Sequence, residues 1–444
     1  MTAVSSRAVS PLVASRRPSM STIDLDAHAT TPCDPRVVQA MLPCFGETYG
    51  NAHSPHARGR AAARRVDGAR GAVADLLGCD TREIVFTSGA TESINLALKG
   101  VVDAAWDRDP STPLHIVTAV TEHKAVLDVC ARLEKRGVDI TYLPVDPDGR
   151  IDPDRVAAAL RDDTVLVSLM LANNEIGVLN PIADVSAHCR EHGVLLHCDA
   201  AQALSTVECH VDRLGVDLLS ISGHKAYGPQ GVGALYLRRR RPRVRITAQM
   251  DGGGHQGGRR SGTLNLPGIV GLGRACELIA GQRRVDGARL TVLRDRLLER
   301  LTVAFPDLRV NGSLEHRLPH NLNVSIPGLV SEHLLETLEG VAISSGAACS
   351  SSSNDGSYVL KALAAANGDP NGERAESSLR MGLGRFTTAA QIERAADLLI
   401  DAVAEVRYRP AAAEDDACGV TCAPATLNDA STTQGSTSGP RLDR

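Results

Sequence analysis

Between residues 34 and 283, short apolar runs alternate with stretches whose apolar positions recur every three or four residues. Strands buried on both faces read as continuous apolar runs and their crossovers as amphipathic helices, so the pattern predicts a mainly parallel sheet with helices on both sides. Seven runs are predicted strands: IVFT from 84, HIVTA from 115, VDITYL from 138, TVLVSLM from 164, VLLHC from 194, VDLLSIS from 216 and GVGALYL from 231. Asn180 and Pro181 ahead of IADVSAHCREHG predict an N-cap and a first-turn proline, and Gly193 the helix end. From 284 the character changes to a long charged helix through RLTVLRDRLLERLTVAF, strand-like LRVNG and HNLNVSI, another helix and VAISSG. These predict a smaller α+β domain over 284–410, joined by residues 23–33, beside a large domain over 34–283. Residues 1–22 and 411–444 are poor in apolar positions and read as a disordered extension and tail, with Met20 a candidate start.

Composition narrows the class. A chain of 444 residues buries a large core, and with only 2% aromatic residues that core must be filled by Ala, Val and Leu. The net charge of −4 gives no overall attraction to nucleic acid. The one basic run, RRRRPRVR at 238–245, has no interleaved aromatics and reads as a solvated or partner-docking loop. Eleven cysteines, spread singly, suit free thiols in a reducing compartment, and the cytoplasm is the expected location. Cys418 and Cys422 come nearest to metal-ligand spacing, but no second pair accompanies them, so no metal is expected. No apolar stretch reaches the roughly 18 residues of a spanning helix, so no membrane partner is expected.

Three predicted strand ends carry chemistry. Lys225 closes SGHK after VDLLSIS, Asp199 closes VLLHCD, and IVFT runs into SGATES, where Gly89 permits a tight turn and Ala90 and Thr91 place amides at a helix N-terminus. An amine, a carboxylate and an anion cradle are the three attachments of pyridoxal phosphate: a Schiff-base lysine, an acid against the pyridine nitrogen, and amides around the phosphate. Each alone has a plainer reading, SGATES as a capping box for instance. No G-K-[ST] occurs, which excludes a nucleotide P-loop. Gln202 and Asn174 are candidates for the ring side, and His123, opening a helix in TEHKAV, for stacking and proton transfer. Cys349 stands in the run SSGAACSSSSNDGS, a setting suited to a mobile nucleophile or to a mere linker. Arg380 in SSLRMGLGRF suits a two-pronged grip on a substrate carboxylate, a helix-surface arginine being the competing reading.

In this order the motifs LDAHATTP, EIVFTSGATES, TEHKAVLD, NNEIGV, SGHKAYGPQGVGALY, GGGHQGGRRSGT, SSGAACSSSS and LGRFTT resemble the cysteine desulfurases, enzymes of the class V aminotransferase fold of the housekeeping and nitrogen-fixation type. The likeness runs from about residue 25 to 388. It implies a homodimeric fold-type-I enzyme dependent on pyridoxal 5'-phosphate that converts L-cysteine to L-alanine. It further implies Lys225 as the Schiff-base lysine, Asp199 on the pyridine nitrogen, His123 stacked on the ring and Asn174 and Gln202 at the ring's side. Ala90, Thr91, Ser222 and His224 would hold the phosphate, with Thr263 from the other subunit. Cys349 matches the persulfide cysteine and Arg380 the substrate-carboxylate arginine. The long segment around Cys349 resembles the subgroup that delivers sulfur to acceptor proteins, in iron–sulfur cluster assembly, tRNA thiolation or DNA phosphorothioation. Departures fall at Ala27 and His28 and in the tail after 410, which does not match the segment that docks an iron–sulfur scaffold. Two other readings keep the fold: a different lyase such as one for selenocysteine, independent of Cys349, and a non-catalytic partner-binding relative without the coenzyme.

Overall fold

Strand β1 (Ile23–Asp24) opens the part of the chain that the computed structural model describes, residues 22–345, 356–369 and 373–408. All seven runs predicted as strands form one sheet: β2 (Ile84–Thr87), β3 (His115–Ala119), β4 (Asp139–Leu143), β5 (Thr164–Met170), β6 (Leu195–Asp199), β7 (Leu218–Ser222) and β8 (Gly233–Leu237). The order is β2-β8-β7-β6-β5-β3-β4, parallel except that β8 runs against both its neighbours. Successive side chains leave a strand on opposite faces, so Val85 and Leu218 enter one apolar layer while Phe86 and Leu219 enter the other. Helices Ala90–Trp106 and Lys124–Glu134 complete the first layer with Ile94, Leu98, Val126 and Leu133. Helix Ala57–Leu77 completes the second with Val66, Val73 and Leu77. Both layers are overwhelmingly aliphatic, as the scarcity of aromatics required.

A second, antiparallel sheet follows, in the order β12-β13-β10-β9, from β9 (Arg309–Val310), β10 (Asn321–Ser325), β12 (Ser344–Ser345) and β13 (Ser378–Gly382). The remaining strand, β11 (Val341–Ala342), pairs in parallel with β1. Helix Leu266–Ala304 has 39 residues, about 58 Å at 1.5 Å per residue, and runs unbroken through the expected boundary between 283 and 284. Its early residues Leu272 and Ile279 pack on the large sheet. Its later Leu290, Leu297 and Leu301 pack with Leu322, Val324 and Met381 of the small one. Because the helical period persists across 284, the chain changes partner there without changing conformation.

Two local expectations are corrected. The residue that caps helix Ile182–Glu191 is Pro181, without a side-chain cap bond. The Asn180 amide is engaged elsewhere, accepting from the Ile151 N–H at 3.0 Å and donating to the Met170 carbonyl at 2.9 Å, because that loop is buried and its backbone groups need partners. Arg380 is no helix-surface residue: it lies in the middle of β13 with 1% of its surface exposed. Gly193 does end its helix, at φ 68°. Cys349, Cys418, Cys422, most of residues 1–22 and the tail after 410 lie outside the described residues.

Candidate active site

The carboxyl ends of β2, β3, β5, β6 and β7 share one edge of the sheet, where open α/β folds place ligands. Asp199 ends β6 and Ser222 ends the adjacent β7, after which a single turn, Gly223–Lys225, places His224 and Lys225 beside them. β2 leads into Gly89, at φ 154° and ψ −179°, a conformation reserved to glycine, from which helix Ala90–Trp106 starts. The sheet pulls this turn in tightly: a Cβ on Gly233 of β8 would stand 2.7 Å from the Gly89 Cα. Together these ends surround a cavity of about 520 Å³ lined by Ala90, Thr91, His123, Asn174, Asp199, Gln202, Ser222, His224 and Lys225. Thus nine of the ten positions expected around a coenzyme meet at one cavity. Thr263, expected to serve the other subunit, is exposed and does not line it.

The electrostatics are those of a site built for a charged ligand. Burial pushes the Asp199 carboxyl up from its usual range, against the pull of His123, the Ala201 amide and Lys225. A cation set against it would reverse the shift. Burial holds His123 below the usual histidine range, with Asp199 opposing and Lys225 reinforcing. Its Nδ1 accepts from the Ala125 N–H at 3.1 Å and so fixes the ring at the start of helix Lys124–Glu134. His224 is likewise depressed, by burial and by Lys225. The Lys225 Nζ donates to the His28 carbonyl at 2.9 Å. Both polar atoms of the Asn174 side chain are buried on the cavity wall without a hydrogen-bond partner among the described residues. Such atoms cost free energy unless a ligand meets them. Arg380 stands just behind: it donates to the Asn174 carbonyl at 3.3 Å and to Asp26 at 3.0 Å, and its Nε has no partner among the described residues.

Residues without an expected role also belong here. Thr30 lines the cavity and its hydroxyl meets His224 Nδ1 at 3.1 Å. Glu92 accepts from the Ser88 N–H and pairs with Arg260 at 2.8 Å. Glu122 is fully buried, accepts from the Met170 N–H at 2.8 Å, and is raised well above the usual carboxyl range by burial. Glu175 bonds the hydroxyl of Ser357, the residue that caps helix Tyr358–Ala366 just after the segment carrying Cys349. The adjacent Tyr358 donates to the Glu122 carbonyl at 2.7 Å and lies under the Lys124 amine. LDAHATTP, SGATES, TEHKAV, NNEIGV and the run around Cys349 flagged these stretches in the sequence, but nothing local indicated which side chains turn inward.

The fold and cavity define an α/β enzyme of the aminotransferase kind, and the chain belongs to the aminotransferase class-V family, whose model matches residues 23–395. Among curated relatives, it is 51% identical over 386 residues to the cysteine desulfurase IscS of Anaeromyxobacter dehalogenans, covering 87% of this chain and 93% of that one. Among solved structures, a NifS-like protein superposes with a TM-score of 0.78 at 33% identity, over 86% of this chain and 98% of the other. SspA in complex with cysteine superposes with a TM-score of 0.71 at 33% identity, over 83% and 100%. Among the described residues no helix is long and apolar enough to cross a membrane, and no group of three or more His, Cys, Asp or Glu side chains is placed to hold a metal ion.

Proposed function

We propose that this protein is a cysteine desulfurase that holds pyridoxal 5'-phosphate in the cavity at the strand ends, converts L-cysteine to L-alanine, and passes the sulfur through Cys349 to an acceptor protein. The observation that carries the proposal is the opening of Lys225 and the buried Asp199 into one cavity beside the N-terminus of helix Ala90–Trp106. The donor set fits that coenzyme: an amine for its aldehyde, a carboxylate for its pyridinium, and amides with the positive end of a helix dipole for its phosphate. The partnerless Asn174 amide supplies hydrogen-bonding capacity that the protein leaves unused. When bound, pyridoxal phosphate takes up the electron pair released as a bond to the substrate's Cα breaks.

The chain's own groups do the rest. Asp199 would keep the ring nitrogen protonated, His123 would cover the ring, and Ala90, Thr91, Ser222 and His224 would hold the phosphate, joined by Thr263 of a second subunit in a homodimer. The Lys225 Nζ removes the proton from the substrate's Cα. Arg380, behind Asn174 and outside the cavity lining, with its Nε lacking a partner among the described residues, would bind the substrate carboxylate. The Cys349 thiolate takes the substrate sulfur, forming an S–S bond as the C–S bond breaks. Ser357 anchors the far end of the Cys349 segment on Glu175, next to the cavity-lining Asn174. The division of labour follows the two sheets: a large domain over 34–283 holds the coenzyme, and a smaller one over 23–33 and 284–410 carries Arg380 and the Cys349 segment.

Coenzyme-saturated protein is expected to show a visible absorption band that is absent in Lys225→Ala, and alanine formation from cysteine should fall roughly a thousandfold in that variant, within the range for loss of a general base. Cys349→Ala should still bind cysteine but release no sulfide under thiol. Full sulfide turnover by Cys349→Ala would overturn the sulfur route, and an unchanged spectrum in Lys225→Ala the coenzyme site.

A further inference from the structure

Behind the cavity runs a chain of side chains whose hydrogen-bond polarity is fixed from both ends. Arg317 is buried and donates from Nη1 to Asn321 Oδ1 at 2.8 Å. A guanidinium has no acceptor, so Asn321 must turn its Nδ2 the other way, toward the Glu175 carbonyl at 3.1 Å and His28 Nε2 at 3.0 Å. His28 Nε2 therefore accepts, and the one proton of the neutral imidazole sits on Nδ1, which donates to Gln202 Oε1 at 3.2 Å. Gln202 is left with Nε2 facing the His28 backbone carbonyl, a group that only accepts, at 3.0 Å. The two ends agree. The same carbonyl receives the Lys225 amine at 2.9 Å, so His28 touches two cavity-lining residues at once.

The surroundings keep the imidazole in that state. It is fully buried and stacks on His320 with ring centroids 4.7 Å apart. Burial is the main cause that holds it well below the usual histidine range, reinforced by His320, Arg380 and Lys225 and opposed by the Gln202 bond. His320, itself held down to about 4 by burial, stays neutral alongside it.

We infer that His28 is a positioning residue: its Nδ1–H tautomer, imposed by Arg317 through Asn321, orients Gln202 so that a spare N–H faces the cavity and recognises an acceptor oxygen on the bound group. The last link rests on the proposed coenzyme site, where the ring's hydroxyl oxygen is that acceptor; the tautomer itself does not. An N–H donor stabilises the deprotonated form of such an oxygen, so its loss raises the pH at which the bound group titrates.

The first test is ¹⁵N NMR of the full chain labelled in histidine, without coenzyme, with His28→Phe used to assign the resonances. The expected result is a protonated Nδ1 and a bare Nε2 on His28, unchanged from about pH 6 to 8. A proton on Nε2, or titration within that range, overturns the inference. His28→Phe keeps the stack on His320 and the backbone carbonyl while removing both ring hydrogen bonds. In the coenzyme-loaded variant the visible band should titrate about one pH unit higher, with Asp199, His123 and Lys225 still facing the cavity, and His28→Asn should restore part of the shift. A band that titrates with the parent's overturns the inference. Where His28→Phe does not fold, Asn321→Asp tests the same link from its far end: a carboxylate oxygen then faces Nε2 in place of the amide N–H, so a proton should appear on Nε2, and an Nε2 that stays bare counts against the mechanism. The coenzyme-free spectra decide this inference alone, whereas a parent protein that takes up no coenzyme speaks against the proposed function instead.

Discussion

Glu175 shows what burial does to a single carboxyl near the site. Desolvation pushes it up to about 7, against the Ser357 hydrogen bond and the charges of Arg380 and Lys124. The folded protein therefore binds more protons than the unfolded chain between the ordinary glutamate value and about 7, and stability falls as pH rises through that window. Glu175→Gln keeps the bond to Ser357 and removes the titration. Urea unfolding at pH 5 and pH 8 should show the parent losing about 2 kcal/mol more than the variant between the two conditions. Equal losses in both proteins would refute this account of the buried acid. At this scale Lys225 and Asp199 were legible because each ends an apolar run, and a strand end announces itself locally. His28 was not, because its ring partners lie 174 and 293 residues away in the chain. Glu122 was hidden for a similar reason, its partner Met170 lying 48 residues downstream.

At the scale of elements, the joint between β2 and helix Ala90–Trp106 does the most for the site. Gly89 leaves the strand in a backbone state closed to side-chain-bearing residues, and only that turn aims the helix N-terminus into the cavity. Gly89→Ala should cost about 1–3 kcal/mol in thermal or denaturant unfolding, the usual range for such strain, and should weaken binding of pyridoxal phosphate about tenfold by titration. A variant with parental stability and affinity would show that the turn is not strained. The capping-box reading of SGATES is met in altered form: Glu92 does accept from the Ser88 N–H, yet no side chain caps the helix at Gly89. The seven strands were legible because each is a short apolar run between turn signals. β13 was not, because SLRMG carries an arginine in its middle, and an arginine becomes acceptable in a buried strand only when a carboxylate from elsewhere meets it.

That carboxylate is a feature of the whole molecule. Asp26, near the beginning of the described chain, reaches Arg380 across 354 residues. The same short segment pairs with β11 at Ile23 and Asp24, bridges to Gly382 of β13 at Asp26, and meets His224 and Tyr227 of the Lys225 turn at Thr31. It thereby ties the small sheet to the edge of the large one. Asp26→Ala leaves a buried guanidinium short of its counter-charge and should destabilise the fold by about 3 kcal/mol in denaturant unfolding, with Asp26→Asn costing less because its amide oxygen still accepts. Near-parental stability of Asp26→Ala would mean that Arg380 finds its compensation elsewhere. Hydrophobic periodicity by itself determined the strands and the run of helices between them, since period and burial are local consequences of which residues are apolar. Motif order likewise determined the family, since those turns and strand ends recur along the chain. Only the folded structure decided which polar groups meet, that one helix serves both cores, and which way His28 and Gln202 face, because hydrogen-bond polarity and burial depend on partners that sequence distance does not reveal.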